Sequence, residues 1–340
     1  MKKMFLFAAA AMVSLSSCVQ TNEVYTGELN EMGFKSAVTR GIIQTNEDMD
    51  YPIAVSAVWD SEEAGNYTTY FSALEGKFVY DPGIELWKGE PARYWPTSGN
   101  MQFLAMSPYP QLATIETNTN PDGTIKNMVV TGVNNNIVDQ HDVIFSDLLC
   151  VKAPQSAASS LLFHHSLAQI NVAFKKTDSA AAVVVKSVRL KNVYLTGSLT
   201  ITPGAITTNA LGEIEVAPST AAWENGLVTG CFFLDAASTS IEQGTLDYTL
   251  TTSYTSPVPQ LVMPSTQGVI EIVYTIDGVQ QTYEHNLTLD QHNQPIVPTP
   301  TWEMGYKYTY NYTINVNEIM FDCTVDEWKT PLVNGGSTTI

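Results

Sequence analysis

Short runs rich in Val, Ile, Thr, Tyr and Phe recur along almost the whole chain, with turn-forming residues between them. Clear examples are residues 53–59, 101–106, 125–131, 170–174, 183–194, 245–254, 269–276 and 306–316. Polar and apolar side chains alternate in many of these runs, which is the period of a strand with one buried face. Asp277-Gly278 stands between two of them, a strong β-hairpin signal. Helical patterns are almost absent, so the sequence predicts an all-β protein made of β-sandwiches.

The length of 340 residues suits two ordinary domains in tandem. We predict a signal peptide over residues 1–17 and a tether over residues 18–30. An N-terminal β-sandwich then occupies residues 31–157, and a C-terminal β-sandwich occupies residues 158–340. The small, polar residues 156–160 resemble a linker and favour this boundary. Residues 175–182, one strand later, are the alternative.

The first residues have the layout of an export signal. Lys2 and Lys3 precede an apolar run over residues 4–13, and Ser17 stands directly before Cys18. The run is shorter than the roughly 20 apolar residues that span a bilayer, so it fits a cleaved signal. The small residues before Cys18 are similar to the lipobox of bacterial lipoproteins. We therefore predict that Cys18 is lipidated, with acyl chains such as palmitate, and holds the chain to a membrane. An ordinary secretory signal is the alternative.

Charge and cysteine usage exclude several classes of protein. Acidic residues outnumber basic residues 34 to 16, and the formal net charge of −18 argues against nucleic-acid binding. The other cysteines, Cys150, Cys231 and Cys323, are far apart and contain no C-x-x-C pair. They predict neither a disulfide framework nor a zinc site. We interpret them as small buried apolar residues.

No residues have the spacing of a catalytic or metal site. His164 and His165 are neighbours on a predicted strand, so their side chains face opposite ways and cannot share a metal ion. His285 and His292 are separated by a loop-like segment. The chain has no G-x-S-x-G elbow, no H-E-x-x-H motif and no phosphate-binding glycine loop. We therefore predict no catalytic residue, no metal, no cofactor and no enzyme activity; a glycoside-active enzyme is the least supported alternative.

Tryptophans are the other candidate functional residues. Exposed aromatic rings stack on sugars, whereas tryptophans beside strands usually fill cores. Most of these tryptophans flank predicted strands, so we interpret them as core residues. A surface lipoprotein that binds glycans through a β-sandwich face is the alternative function. The six tryptophans are Trp59, Trp87, Trp95, Trp223, Trp302 and Trp328.

Five segments in order carry a family resemblance. They are Trp87 with residues 94–96 and 103–108, then residues 162–170, then residues 261–264, then residues 302–310, and finally residues 319–321 with Val325 and Trp328. Together they resemble motifs of the fimbrillin family, the pilus subunits of Bacteroidales, and they cover the chain as far as its last predicted strand. The resemblance implies two transthyretin-like β-sandwiches and a structural role in a fimbria, as stalk, tip or anchor subunit.

For a stalk subunit, the resemblance also implies a route of assembly. A trypsin-like protease cuts the lipoprotein precursor after an arginine near the start of the first domain, and a strand of another subunit fills the groove that the leading strand leaves. In this sequence the corresponding bond is Arg40-Gly41, the removable strand is residues 32–39, and residues 322–340 are the candidate donor. The alternative is that Arg40 is an uncut loop residue.

The resemblance extends to location, partners and modification. It implies a lipid-anchored precursor in the outer membrane and a place in a fimbria at the cell surface. The implied partners are other fimbrial subunits, the lipid anchor and the processing protease. Asp178-Ser179-Ala180 resembles the O-glycosylation signal of this bacterial phylum, so Ser179 is a predicted glycosylation site.

Overall fold

A computed structural model describes most of the chain. The described residues are 31–38, 51–62, 64–109, 114–134, 141–155, 157–177, 180–211, 213–225, 229–233, 248–255, 259–288 and 301–327. Every regular element within these ranges is a β-strand, which confirms the predicted all-β class.

The strands are numbered in chain order. The first twelve are β1 (Gly33–Val38), β2 (Ile53–Asp60), β3 (Thr68–Phe71), β4 (Lys77–Asp81), β5 (Leu86–Gly89), β6 (Asn100–Ser107), β7 (Thr114–Thr119), β8 (Ile125–Asn134), β9 (Ile144–Ser146), β10 (Leu149–Lys152), β11 (Ser159–His165) and β12 (Ala168–Lys176). The others are β13 (Val183–Tyr194), β14 (Thr196–Thr202), β15 (Ile206–Thr208), β16 (Ile214–Val216), β17 (Thr220–Asn225), β18 (Thr229–Phe233), β19 (Tyr248–Thr249), β20 (Gln260–Val262), β21 (Val269–Ile276), β22 (Val279–Asn286), β23 (Tyr306–Ile314) and β24 (Ile319–Glu327).

Nine strands form one sheet, in the order β10-β6-β9-β11-β1-β5-β4-β2-β3. Strand β6 also pairs with β2 along most of its length, from Ala54 with Met106 to Asp60 with Asn100. This extra pairing closes all of the sheet except β3 and β10 into a continuous ring. Closure leaves the strands of the ring without free edges, so their backbone groups pair within the ring.

Alternating side chains of the ring strands fill its interior. On β6, Met101, Phe103 and Ala105 point inward, whereas Leu104 and Met106 point outward, as the two-residue period of a strand requires. The inward set is a continuous core of fully or nearly fully buried residues. Its large members are Met32, Phe34, Ile53, Val55, Phe71, Phe78, Trp87, Trp95, Met101, Phe103, Ile144, Leu161 and Phe163.

A second sheet, in the order β17-β14-β8-β7, covers the outside of the ring. Leu104 and Met106 of the ring meet Val130, Leu199 and Ile201 of this sheet in a shared apolar core. Strands β14 and β17 follow residue 158, yet β14 pairs with β8, which precedes it. The ring and this covering sheet together are called the first unit.

The second unit consists of two sheets around one core, in the orders β20-β12-β23-β24 and β18-β13-β21-β22, with β19 also paired to β13. The predicted hairpin at Asp277-Gly278 is confirmed, since β21 and β22 pair on either side of it. Both turn residues have positive φ, 48° and 84°, as a two-residue hairpin turn of the favoured hand requires. The run at residues 245–254 was predicted as one strand, but its described part contains only β19.

The chain passes between the two units three times: from β11 to β12 through Ser166 and Leu167, from β13 to β14 through Leu195, and from β17 to β18. The predicted linker at residues 156–160 is instead partly strand, because Ser159 and Ser160 begin β11 and pair with β1. The Ser166 amide and hydroxyl both donate to the Val143 carbonyl, at 2.9 and 2.6 Å, and the Gly305 amide donates to the Leu167 carbonyl at 2.8 Å. The strand pairing changes from one unit to the other at this junction, whereas a boundary between residues 157 and 158 stays a prediction.

Candidate functional site

The first strand in the described part of the chain, β1, lies between β11 and β5 in the ring. Strand β1 runs parallel to β11, with Phe34 opposite Ser159 and Val38 opposite Phe163. On its other side it runs antiparallel to β5, with Gly33 opposite Lys88 and Phe34 opposite Trp87. Parallel strands cannot be joined by a tight turn, and β11 indeed lies far along the chain from β1.

The inward side chains of β1, and that of Met32 directly before it, occupy defined pockets. Met32 and Phe34 are completely buried, and the Phe34 ring packs edge-on against Phe78 and Phe103, with centroids 5.1 and 5.2 Å apart. Two residues further on, Ser36 Oγ accepts a hydrogen bond from the Trp87 indole nitrogen at 3.1 Å. The pockets therefore take a large apolar side chain, an aromatic ring and a small hydroxyl at alternate positions.

Polar contacts hold the N-terminal end of β1. The Met32 amide donates to the Arg93 carbonyl at 2.6 Å, and Glu31 forms a β-bridge with Tyr94. The buried carboxylate of Glu31 lies 3.5 Å from the Lys88 ammonium. These contacts join the start of β1 to the segment that carries Trp95.

The predicted modification residues lie outside the described part of the chain. This applies to the lipidation site Cys18, to the cleavage residues Arg40 and Gly41, and to the glycosylation site Ser179. In the sequence, Arg40 follows the last residue of β1, Val38, by two positions. The predicted removable strand, residues 32–39, contains all of β1.

The candidate donor segment, residues 322–340, begins within β24. Residues 322–327 of that strand pair with β23, from Asn311 opposite Asp322 to Tyr306 opposite Glu327. In the described residues β24 pairs with β23 alone, and it is therefore an edge strand. The rest of the donor segment lies outside the described residues.

The described histidines have structural contacts. His164 Nε2 lies 2.9 Å from the Asp147 carboxylate, and His165 Nδ1 contacts Asp142 from the other face of β11. The His285 imidazole is buried in the second unit, with Nδ1 2.7 Å from the Tyr312 hydroxyl. Burial lowers the pKa of His285 to about 4, so this ring is neutral at neutral pH. Within the described ranges no three His, Cys, Asp or Glu side chains come together as a metal site.

The tryptophans that the structure describes are mostly core residues. Trp87, Trp95 and Trp302 are buried. Trp59 and Trp223 are partly buried, and their indole nitrogens donate to backbone carbonyls, those of Ser98 and Ser166 respectively. None of these rings is fully exposed in the way that stacking on a sugar requires.

The cysteine interpretation is wrong at one position. Cys323 is exposed on the edge strand β24 rather than buried. Cys150 is partly buried, and burial raises the pKa of its thiol to about 11, so it stays protonated at neutral pH. Both described cysteines are free thiols.

Comparison with known proteins gives the family. A family model described as fimbrillin-like matches residues 39–328, which is most of the chain. The chain belongs to the fimbrillin-like family. The predicted membership of the fimbrillin family is therefore confirmed. The match begins at residue 39, so β1 (Gly33–Val38) lies directly before the matched region. A search of curated proteins found no match.

The chain is also similar to solved structures. A fimbrial protein from Bacteroides vulgatus is 16% identical, with a TM-score of 0.54, and the match covers 88% of this chain and 100% of that one. A fimbrial assembly protein from Parabacteroides distasonis is 11% identical over 87% and 99% of the two chains, with a TM-score of 0.37. The tip fimbrial protein Mfa3 from Porphyromonas gingivalis is 9% identical over 87% and 100%, with a TM-score of 0.37. The Bacteroides vulgatus similarity shows that the fold is shared.

One further observation bears on membranes. Among the described residues, no helix has the length and apolarity needed to cross a bilayer.

Proposed function

We propose that this fimbrillin-like protein is a structural subunit of a cell-surface fimbria and that it polymerises when a strand of another subunit replaces β1. Family membership and the description of the similar Bacteroides vulgatus structure as a fimbrial protein support the first part. One observation carries the second part. Strand β1 is paired on both sides inside a closed ring, and a candidate protease site follows it after two residues.

Loss of β1 would open the ring between β11 and β5. Strands β11 and β5 would each present unpaired backbone N–H and C=O groups, and two such edges facing each other favour the addition of a strand. The incoming strand must run parallel to β11 to restore the hydrogen bonds that β1 makes. Affinity then comes from the backbone, and selectivity comes from the pockets.

The pockets specify which strand can enter. The positions of Met32, Phe34 and Ser36 require an apolar residue, an aromatic residue and a small hydrogen-bond acceptor at alternate places. A donor without the acceptor would leave the Trp87 indole N–H unsatisfied, which costs about 1–3 kcal/mol in a buried site. Cleavage alone would not empty the groove, because the cut strand stays hydrogen-bonded until another strand displaces it.

Export precedes assembly in this proposal. The precursor is cut before Cys18, lipidated there and carried to the outer membrane, and removal of residues up to 40 also removes the lipid. If Arg40 is left uncut, Cys18 remains as a permanent anchor. A structural role fits the described residues better than glycan binding, because Trp87, Trp95 and Trp302 are core residues.

Controlled proteolysis of the purified precursor tests the proposal. We expect a trypsin-like protease to cut after Arg40, to give a new N-terminus at Gly41 by sequencing, and to start formation of oligomers visible by size-exclusion chromatography. Lys35 is also a trypsin site, but pairing within β1 protects it. The Arg40→Ala variant should stay folded and monomeric under the same treatment, whereas Lys35→Ala should assemble like the parent.

The opposite results are informative too. Trimmed protein that remains monomeric, or Arg40→Ala protein that assembles as well as the parent, would remove strand replacement from the proposal. Sequencing of the mature N-terminus from cells separates the two fates of the lipid. A start at lipidated Cys18 alone identifies an anchored subunit, and a start at Gly41 identifies a polymerising one.

A further inference from the structure

Strand β24 of the second unit has an open edge. On one side it pairs with β23 from Tyr306 opposite Glu327 to Ile314 opposite Ile319, and on the other side it pairs with no described strand. The register between β23 and β24 contains no shift, so the strand has no β-bulge. Alternate residues of an antiparallel edge strand direct their backbone N–H and C=O groups away from the neighbouring strand. The edge of β24 therefore leaves these groups without a strand partner in the described chain.

The residues of β24 do little to protect this edge. Natural edge strands are commonly shielded by a lysine, a proline, a bulge or a charged side chain that points toward the core. Strand β24 contains no lysine and no proline, and Asp322 and Asp326 lie on the outer face of its sheet. Glu327, the last residue, is the one charged residue on its core-facing side. The strand therefore has the features of one that accepts a partner strand.

The core-facing side chains of β24 are only partly covered. Phe321 packs against the core of the second unit, and its ring centroid lies 3.9 Å from that of His285 on β22. Cys323 and Val325 lie on the same side of the strand and are exposed, Val325 by 52%. A strand added beside β24 would extend the sheet and bring its own side chains against these residues.

We infer that β24 of one copy of this chain pairs antiparallel with β24 of a second copy, about a two-fold axis at Cys323, with both cores on the same side of the joined sheet. On the core-facing side, Phe321 of each copy then meets Val325 of the other. No carboxylate lies opposite another carboxylate, and apolar pairs of this kind stabilise a sheet. The complete set of opposite residues is Ile319 with Glu327, Met320 with Asp326, Phe321 with Val325, Asp322 with Thr324, and Cys323 with itself.

The neighbouring registers bring like charges together. An axis at Asp322 would place this carboxylate opposite the same carboxylate of the second copy. An axis at Thr324 would place Asp322 opposite Asp326. Like charges directly opposite each other on a sheet are destabilising. The charges of β24 therefore favour Cys323 as the centre, and in that register the strand is complementary to a second copy of itself.

The edge strand on the same side of the second unit, β22, is less suited to this contact. In the described chain it pairs with β21 alone. Its exposed central residues, Gln280, Gln281 and Thr282, are polar, so self-pairing of β22 would bury little apolar surface. Its outer carboxylate, Glu284, is already bound to the Lys191 ammonium. Apolar burial therefore favours β24 over β22.

The symmetry of the contact limits what it can build. The same strand meets itself, so the contact is isologous and closes a dimer rather than extending into a filament. It forms with β1 in its groove, and the inference therefore goes beyond strand replacement. If residues 322–340 are the donor, as proposed above, a chain paired in this way cannot lend residues 322–327 to another subunit at the same time. The contact then belongs to the precursor, before assembly.

Charge placed at Thr324 tests the contact. Each dimer contains the Thr324–Asp322 pair twice, so one substitution acts at two positions. In sedimentation velocity of the uncut chain, with Arg40→Ala and Cys18→Ser to prevent trimming and lipidation, Thr324→Lys should strengthen dimerisation about fivefold and Thr324→Asp should weaken it about fivefold. Thr282→Lys and Thr282→Asp, the same changes on the outer face of β22, should leave dimerisation unchanged.

Other results would overturn the inference. A parent chain that stays monomeric at the highest protein concentration would remove the contact. Weaker dimerisation of both Thr324→Lys and Thr324→Asp would exclude an axis at Cys323, because only an axis there places a lysine at 324 opposite Asp322. Effects of the Thr282 variants as large as those at Thr324 would assign the contact to β22 instead.

A photocrosslink measures the register directly. Met320 is 41% exposed and would lie opposite Asp326 of the second copy. In a mixture of isotope-labelled and unlabelled uncut chains, Met320→p-benzoylphenylalanine should link labelled to unlabelled chains within residues 324–327, and Thr282→p-benzoylphenylalanine should give no such link. Links from position 320 to other regions, or within one chain only, would contradict the pairing. Because the chains are uncut, such a failure would leave the proposal of strand replacement untouched.

Discussion

Replacement of Phe34 by Ala should lower the free energy of unfolding by about 3–5 kcal/mol, the usual cost of removing a buried phenylalanine ring. Phe34 is completely buried, and its ring fills the space between Phe78 and Phe103. The variant would leave a cavity in a closed ring whose walls cannot readily collapse. Urea unfolding followed by tryptophan fluorescence measures the effect, because Trp87 and Trp95 lie in the same core.

Lys35→Ala is the matched control for this prediction. Lys35 is the next residue on the same strand and has the same backbone pairing, but its side chain is partly exposed. We expect a change within about 0.5 kcal/mol, as for most surface substitutions. If both variants lost the same stability, the interior position of β1 would contribute little. The pocket that Phe34 fills would then select only weakly among incoming strands.

Stability should also fall as the pH is lowered from about 6.5 to about 4, and His285 should account for a large part of the fall. Burial lowers the pKa of this imidazole to about 4 in the folded chain, while an unfolded histidine titrates near 6.5. Between these values the unfolded chain binds a proton that the folded chain does not. Stability is therefore fully present above about pH 6.5 and is lost as the pH falls, by about 3 kcal/mol in total.

His285→Gln isolates this contribution. Glutamine keeps a polar group that can reach the Tyr312 hydroxyl, but it does not titrate in this range. Urea unfolding at pH 7 and pH 4.5 should show a smaller loss of stability for the variant than for the parent, although carboxylates contribute to both. An identical loss in the two proteins would show that His285 does not control the acid sensitivity.

Local chemistry made several elements predictable. Asp277-Gly278 has the residues that a two-residue hairpin turn requires, and β21 and β22 pair around it. Strand β23 (Tyr306–Ile314) alternates buried and partly buried side chains from Lys307 onward, close to the predicted run. Residues 32–39 were identified as a leading strand through a family resemblance, and the structure places β1 there. In each case the signal lies within a few neighbouring residues.

The partners of these strands were not predictable in the same way. Alternation shows that a strand has two faces, but it does not show which strand lies beside it. The pairing of β6 with β2 closes the ring, and the pairing of β14 with β8 brings residues after 158 into the first unit. Ser159 and Ser160 resemble a linker in composition, yet they pair with β1 as the first residues of its parallel neighbour, β11.

The sequence by itself determined the all-β class, the positions of the main turns and the family, because these follow from residue type and local spacing. It also supplied the modification sites Cys18, Arg40 and Ser179, which remain predictions. Only the tertiary structure decided that β1 is paired on both sides within a ring and that Phe34 fills a pocket. Burial and strand neighbours depend on contacts between residues far apart in the chain, and no local pattern encodes which of those contacts form.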